Sequence, residues 1–345
     1  MKRYVLILII PLFALYLYGC KNTTEAKPPK EETPKSEIYS YFPFKENVEY
    51  EYEGQGNALI SYNIFNTFVH ENTLQRRLEP AQNYDRQTEI FKVENGTLVL
   101  INGDTTRYHF EDETGNAPQK DMVLLKEPLT LGATWTVSGT DTATVTGVDV
   151  DISLPFGNYK ALEVSSVTAS GYDQKEYYVK DIGLVKTMYK VNGGAELSST
   201  LKKITENTTL KIPVDVYYPI KDADETAIKE TVVSLSTNYN LIKEVNKVLR
   251  TPPPDTPENL LPILTTGSVE GIIFAANTSA AILNFDKNIY EQKFESENAE
   301  RAMIFAVANT VGHMVSVDQV FIQVDNKPYS GVYVKLDEET AFEIK

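Results

Sequence analysis

Between Ile38 and Asn207 the chain alternates. Val48-Glu49-Tyr50-Glu51-Tyr52-Glu53, Thr106-Arg107-Tyr108-His109-Phe110-Glu111 and Ala143-Thr144-Val145-Thr146-Gly147-Val148 each set one residue type against another at a period of two. That period places one set of side chains on the buried face of a strand and the other on its outer face. The β-branched and aromatic residues that fill these runs pack well on a pleated surface. Gly, Asn and Asp punctuate them, and no long apolar stripe at helical spacing interrupts. Asn95-Gly96, between Phe91-Lys92-Val93 and Leu98-Val99-Leu100, is a hairpin signal, because both central positions of a type I′ turn need positive φ. The segment is therefore expected to form an all-β domain, an antiparallel meander or open barrel, over residues 38–207.

From residue 208 to 345 the pattern changes. Lys211–Tyr218 and Thr226–Ser234 read as strands around a polar turn. Leu241, Ile242, Val245, Val248 and Leu249 then make one face of an amphipathic helix over 239–250, which Thr251-Pro252-Pro253-Pro254 must end. Asn238 is the expected N-cap. Ile272-Ile273-Phe274 and Ala281-Ile282-Leu283 flank Asn277-Thr278 as a hairpin. A second helix over 297–313 carries Met303, Ala306, Val307, Thr310, Val311 and Met314, and Val317–Val324 closes the order. The result is β-β-α-β-β-α-β, an α+β domain with two helices on one face of an antiparallel sheet. Val245, Leu249, Ala306 and Val307 should be buried together.

The 345 residues, at about 150 per domain, agree with two domains. With 33 Lys and Arg against 48 Asp and Glu, the net charge of −15 disfavours a nucleic-acid surface, which needs clustered cations. One cysteine excludes a disulfide framework and Cys-based zinc or redox pairs. The histidines, His70, His109 and His313, are dispersed along the chain.

That one cysteine has a telling position. Lys2 and Arg3 precede an uncharged apolar run from Tyr4 to Tyr18, which stops at Gly19-Cys20. The run is marginal as a membrane span, which needs about 20 apolar residues, and Pro11 weakens it further as a helix. It has the anatomy of a signal peptide over residues 1–19. Leu17-Tyr18-Gly19-Cys20 resembles a bacterial lipobox, although Tyr18 replaces the usual small residue. The resemblance implies cleavage before Cys20 and acylation of its thiol, which would anchor the protein in the cell membrane on the extracytoplasmic side. Cleavage would remove two of the 33 cations and no acid, so the body has little attraction for anionic headgroups. Residues 20–37, with three prolines and no large apolar residue after the cysteine until the end, read as a flexible tether.

The β-rich half loosely resembles a domain of bacterial lipoproteins. The resemblance rests on Tyr41-Phe42-Pro43-Phe44-Lys45, the turn from Leu129 to Trp135, the hairpin Pro155-Phe156-Gly157-Asn158-Tyr159, and the pair Glu176-Tyr177-Tyr178 and Gly183-Leu184-Val185-Lys186. Glu46-Asn47 stands where that segment usually has Gly. The second half resembles the GerMN domain, the sporulation and spore-germination module of Gram-positive lipoproteins. The motifs are Val248-Leu249-Arg250-Thr251-Pro252, then Leu260-Leu261-Pro262 and Ser268-Val269, then Ile282-Leu283-Asn284-Phe285-Asp286. Ala308-Asn309-Thr310-Val311 running into Val317–Pro328 completes the match, with Asn326 in place of the usual Gly. The resemblance implies a noncatalytic envelope module with a sheet edge and two helix backs as its surface, no cofactor and no catalytic residue to carry over.

Residue chemistry adds little to this. Asp149 and Asp151, at i and i+2 on a strand, could share a face, but in an acidic protein they read as a solvated surface. Asp222, Asp224 and Glu225 lack the Gly and the bidentate Glu of a calcium loop. His313 suits a helix C-terminus. Ser153, Ser234 and Ser268 sit in no nucleophile elbow. Tyr39, Tyr41, Phe42 and Phe44 could form a glycan platform, or simply pair structurally. The expected function is an envelope lipoprotein that docks other envelope proteins, without catalysis, and exposed Lys243 and Lys247 are candidates for contact. The alternative is a module binding cell-wall glycan or an apolar ligand, with peptidoglycan as the partner, and an enzyme would have to reveal a pocket of convergent titratable groups.

Overall fold

The computed structural model describes residues 36–344 apart from 57–59, 82–85, 105–109, 168–172, 191–195, 222–224, 253–256, 258 and 276–278. The signal peptide, Cys20, most of the tether, His109, Asp222 and Asp224 lie outside the described residues. So does the turn at Asn277-Thr278.

Twelve strands make one antiparallel sheet. They are β1 (Val48–Gln55), β2 (Tyr62–Val69), β3 (Thr73–Pro80), β4 (Gln87–Glu94), β5 (Thr97–Asp104), β6 (Met122–Lys126), β7 (Thr134–Ser138), β8 (Asp141–Leu154), β9 (Gly157–Val167), β10 (Asp173–Val179), β11 (Gly183–Lys190) and β12 (Glu196–Glu206). Apart from β6 and β7, each pairs with its neighbours in sequence, and β1 also pairs with β12, so the meander curls into a ring. The ring has one seam, between β6 and β7, where no ladder forms. Trp135 bridges it, its indole N–H donating to the Val123 carbonyl at 3.0 Å. This is the expected open barrel.

The turns are those that the residues dictate. Asn95 and Gly96 have φ of 50° and 67°, a hairpin of I′ character between β4 and β5. Asn47, at the turn where a Gly is expected, adopts φ 54°, which Asn tolerates better than other residues with a Cβ. Pro155-Phe156 joins β8 to β9, and Tyr178 lies opposite Leu184 in the β10–β11 pair. The expected strand at 106–111 is different: Phe110 and Glu111 lie outside any strand, and the Phe110 side chain is buried against the second half of the chain.

A short helix, α1 (Ile38–Tyr41), plugs one end of the barrel. Tyr39 Oη donates to the Glu71 carbonyl, Asp181 N–H to that of Ser40, and Ser36 Oγ to Glu127, so three inter-strand connections hold it. Ile38, Tyr41 and Phe42 are buried, and Phe42 packs on Phe91 with ring centroids 5.0 Å apart. The aromatics at the barrel entrance thus pair structurally and form no exposed platform.

Three residues separate β12 from the first strand of the second half. β13 (Leu210–Pro219) and β14 (Thr226–Leu235) form a two-stranded sheet. α2 (Leu241–Arg250) follows, then β15 (Val269–Phe274) and β16 (Ala280–Phe285), a 3₁₀ turn (Lys287–Glu291), α3 (Glu297–Val315), β17 (Gln319–Val324) and the short β18 (Lys327–Pro328) and β19 (Phe342–Glu343). The α+β class holds, but three details of the expectation are corrected. The strands divide into two sheets, and β16 pairs with β17 in parallel, because α3 acts as a crossover that returns the chain in its original direction. Asn238 has φ 59° and does not cap α2; Asn240 does, its side chain accepting from Lys243 N–H. And α3 has no exposed back: it is buried from Ala302 to Val315 except at Phe305 and His313, in contact with β13, β17 and β19. Val245, Leu249, Ala306 and Val307 are buried together as expected.

Residues 36–345 cluster as one compact unit. The link between Leu235 and Leu241 docks on β2. Asn47 N–H donates to Thr237 Oγ1 at 2.7 Å, Thr237 N–H to Asn47 Oδ1 at 2.9 Å, and Thr237 Oγ1 to the Asn66 carbonyl at 2.7 Å. Asn238 accepts from Val69 N–H through Oδ1 and donates to the Val69 carbonyl. Phe65 and Phe110 belong to the same buried cluster as Val216, Leu249 and Ile304.

Candidate functional site

The barrel interior holds what the sequence does not announce. Arg76 on β3 faces Glu89 on β4 across the ladder, with Nε 2.6 Å from Oε2 and side-chain exposures of 13% and 20%. The guanidinium lies over the Phe91 ring at 4.5 Å and the Phe42 ring at 5.6 Å. On the facing wall Glu176 of β10 accepts from Tyr178 Oη at 2.7 Å and from Gln174 Nε2 at 2.9 Å. Tyr52 donates to the Leu184 carbonyl and stacks on Tyr62 at 4.7 Å. Around these groups is a cavity of about 530 Å³, lined also by Leu78, Leu100, Leu124, Thr187 and Tyr189. Phe42 forms its floor, so the plug closes one end, while Ile60, Pro80 and Gln87 line it toward the end where β3 finishes and β4 begins.

Burial governs the electrostatics inside. It pushes the Glu176 carboxyl above the ordinary carboxylate value, against the hydrogen bonds from Tyr178 and Gln174. It pushes Tyr189 well up, helped by the nearby charges of Glu176 and Glu89, and Tyr50 up to about 12. For Arg76 burial works against the charge, but Glu89 and Tyr52 outweigh it and the guanidinium stays charged. Among the described residues Glu176 makes no ion pair.

The residues singled out from sequence fall elsewhere. Asp149 sits in a bulge of β8 with φ 59°, which breaks the i, i+2 alternation with Asp151. Both are exposed, and Asp151 pairs with Lys160 at 2.6 Å. His70 meets Asp112 at 2.8 Å on the surface. His313, in the last turn of α3, has its Nε2 3.1 Å from Tyr217 Oη and its ring stacked on that of Tyr217. Ser153 and Ser234 are exposed, and Ser268 Oγ donates to Asp286 at 2.6 Å. Lys243 and Lys247 are exposed on α2. Among the described residues no three His, Cys, Asp or Glu side chains gather in a way that could hold a metal ion.

Two further features of the second half stand out. Glu300, fully buried on α3, gathers the loop after β18: its carboxylate accepts from Tyr329 Oη at 2.6 Å and from the backbone N–H groups of Val332, Tyr333 and Val334 at 3.2, 2.7 and 3.0 Å. β14 is ten residues long and, among the described strands, pairs with β13 alone. No second described strand lies beside it, and Ile228 and Val232 stand 59% and 54% exposed on its outer face.

Residues 196–330 match the Germane family model, described as sporulation and spore germination. The second half of the chain carries a Germane domain. The matched segment takes in the whole of β12 and ends just beyond β18, so the buried α3 and β14 belong to it. Among solved structures, a candidate exported protein with a YmcC-like fold from Bacteroides fragilis is similar, at 11% identity and a TM-score of 0.31, covering 48% of this chain and 99% of its own. A candidate lipoprotein from Parabacteroides distasonis is similar at 12% identity and 0.30, covering 48% and 98%. The first GerMN domain of the sporulation protein GerM from Bacillus subtilis is similar at 12% identity and 0.27, covering 37% and 99%. Among curated proteins none matches the chain by sequence. No helix among the described residues is long and apolar enough to cross a membrane.

Proposed function

We propose that the protein is an envelope lipoprotein, anchored outside the cytoplasm through acylated Cys20, that works by contact and without catalysis. Its Germane domain is the docking unit, and the open edge of β14 receives a strand from another envelope protein. The observation that carries this reading is the edge itself. Among the described strands β14 pairs with β13 alone, and an edge with no neighbouring strand beside two exposed apolar side chains forms a template for strand addition. Folded proteins usually blunt such an edge with charge, proline or a cover. The anchor rests on the charged start, the apolar run and the lone cysteine at its end.

Crosslinking in intact cells followed by mass spectrometry tests the docking. Ile228→Lys with Val232→Lys should remove the crosslinked partner while the melting temperature holds, since both side chains are exposed. Unchanged crosslinks would sink the edge as the docking surface. Turnover of a substrate that is lost on substituting a single cavity carboxylate, with fold and crosslinks intact, would favour an enzyme instead. The anchor is read from the mass of the mature N-terminus, where an unmodified Cys20 in membrane-purified protein would refute it.

A further inference from the structure

A barrel that served only as a scaffold would fill its interior with apolar side chains, because an ionised group taken out of water is costly unless it is paired. This interior holds three such groups around open space: Arg76, Glu89 and Glu176. Arg76 and Glu89 satisfy each other at 2.6 Å. Glu176 has two hydrogen bonds but no cation of its own among the described residues. The aromatic rings of Tyr62, Tyr178 and Tyr189 line the same space. From these placements we propose that the cavity is a binding site for a small cationic amphiphile, whose ammonium head sits against Glu176 and the tyrosines and whose apolar body fills the leucine-lined remainder.

Size, charge and shape each narrow the ligand. About 530 Å³ lies within the usual range of small-molecule sites, about 300–1,000 Å³. At about 30 Å³ for a water-sized group it takes roughly 15–20 non-hydrogen atoms, too few for a two-chain lipid. The sign of the head follows from counting. Among the described residues the cavity lining has two carboxyl groups to one guanidinium, and that guanidinium is occupied by Glu89 and covered by Phe91 and Phe42. A carboxylate ligand would find that cation taken and two acids facing it. An ammonium would neutralise the unpaired acid and meet the negative faces of aromatic rings. Phe42 and α1 close one end, and the lining residues Ile60, Pro80 and Gln87 lie toward the other.

Three six-carbon probes that differ only in their heads decide the matter: hexyltrimethylammonium, hexanoate and hexan-1-ol. Each is titrated by calorimetry into the full-length protein in nonionic detergent, with detergent alone as the blank. Hexyltrimethylammonium should bind saturably and at least tenfold more tightly than hexanoate. Glu176→Gln keeps the shape and removes the charge, so it should weaken the ammonium probe tenfold or more and leave hexan-1-ol within about twofold. Leu100→Trp, from another wall, should abolish binding of both by filling the space. Equal or tighter binding of hexanoate, an ammonium affinity untouched by either variant, or no saturable ammonium binding at all would each overturn the assignment.

Discussion

Two buried carboxylates show how one residue type takes opposite parts. Glu300 is met by four donors, of which the Tyr329 hydroxyl and the Val334 N–H are buried and the N–H groups of Val332 and Tyr333 part-buried. Glu300→Ala should therefore cost about 3–5 kcal/mol, since each buried donor left without a partner costs about 1–3 kcal/mol. Gly331→Ala should destabilise by the same route, because a Cβ there would fall 1.7 Å from Glu300 Oε1. Thermal melts check both, and a wild-type melt for Glu300→Ala would show that the loop is not held this way. Glu176 is instead a burden on the fold. Its carboxyl is raised by burial, so the folded state binds its proton more tightly than the unfolded chain. Stability then falls as pH rises from the ordinary carboxylate value through the raised one, and the penalty persists above it. Glu176→Gln should melt higher than wild type at neutral pH, with the gap closing at acid pH below the ordinary carboxylate range. A gap that is constant with pH would show that the side chain's shape, and not its charge, sets the difference. Neither residue was legible in the sequence. Glu300 follows Asn298-Ala299 in a helix and Glu176 lies in a strand, where acids read as solvated; the period of two places Tyr178 on the face of Glu176, but only the third dimension shows that this face is the barrel interior, or puts Tyr329 beside Glu300.

At the scale of elements, legibility followed periodicity. The alternating runs at 48–53 and 143–148 and the Asn95-Gly96 turn became β1, β8 and the β4–β5 hairpin, because period and turn chemistry are local properties. Sheet partnership is not local. The sequence of β16 and β17 is compatible with either direction of pairing, and the crossover through α3 decides it. The docked link defeats the N-cap reading for a similar reason: Asn238 is a good cap in isolation, but its side chain is engaged by both backbone groups of Val69. Asn240→Ala should accordingly cost the Germane domain about 1 kcal/mol through α2, seen as a small drop in the denaturant midpoint. Leu249, fully buried on the same helix, is a sterner test. Leu249→Asp places an unpaired carboxylate in that core and should cost several kcal/mol, enough to unfold a marginally stable domain. Hydrogen exchange should then show α2, α3 and β13 unprotected, and a protein that kept their protection would refute the packing of this face.

For the whole molecule the question is whether barrel and Germane domain unfold as one. The change of sheet between β12 and β13 invites a division there, and contact between domains of one chain is commonly modest. The packing argues for coupling. Phe65 and Phe110 of the barrel sequence are buried in the second half's core, the Arg77 guanidinium lies over the Phe110 ring at 5.5 Å, and Tyr239 Oη donates to the Phe110 carbonyl at 3.0 Å. Arg77 is paired to Glu79 through Nη2, but its Nε and Nη1 are buried with no hydrogen-bond partner among the described residues. Pulling the halves apart would expose both phenylalanines to water, so the barrel's outer wall on β2 and β3 depends on the neighbour that covers it. The joint itself is concentrated in the reciprocal bonds of Asn47 and Thr237. The intact protein should therefore show a single calorimetric transition with van't Hoff and calorimetric enthalpies in agreement. Asn47→Ala combined with Thr237→Val removes the side-chain bonds from both partners at once and leaves each half's own strands intact. That double variant should split the transition in two, the lower component carrying the larger share of the loss. Two transitions in the wild type, or one undivided transition in the double variant at an unchanged temperature, would mean that the halves are merely adjacent. A single transition would make a ligand in the barrel and a partner on β14 part of one thermodynamic system, so that filling the cavity would also raise the melting temperature of the Germane domain.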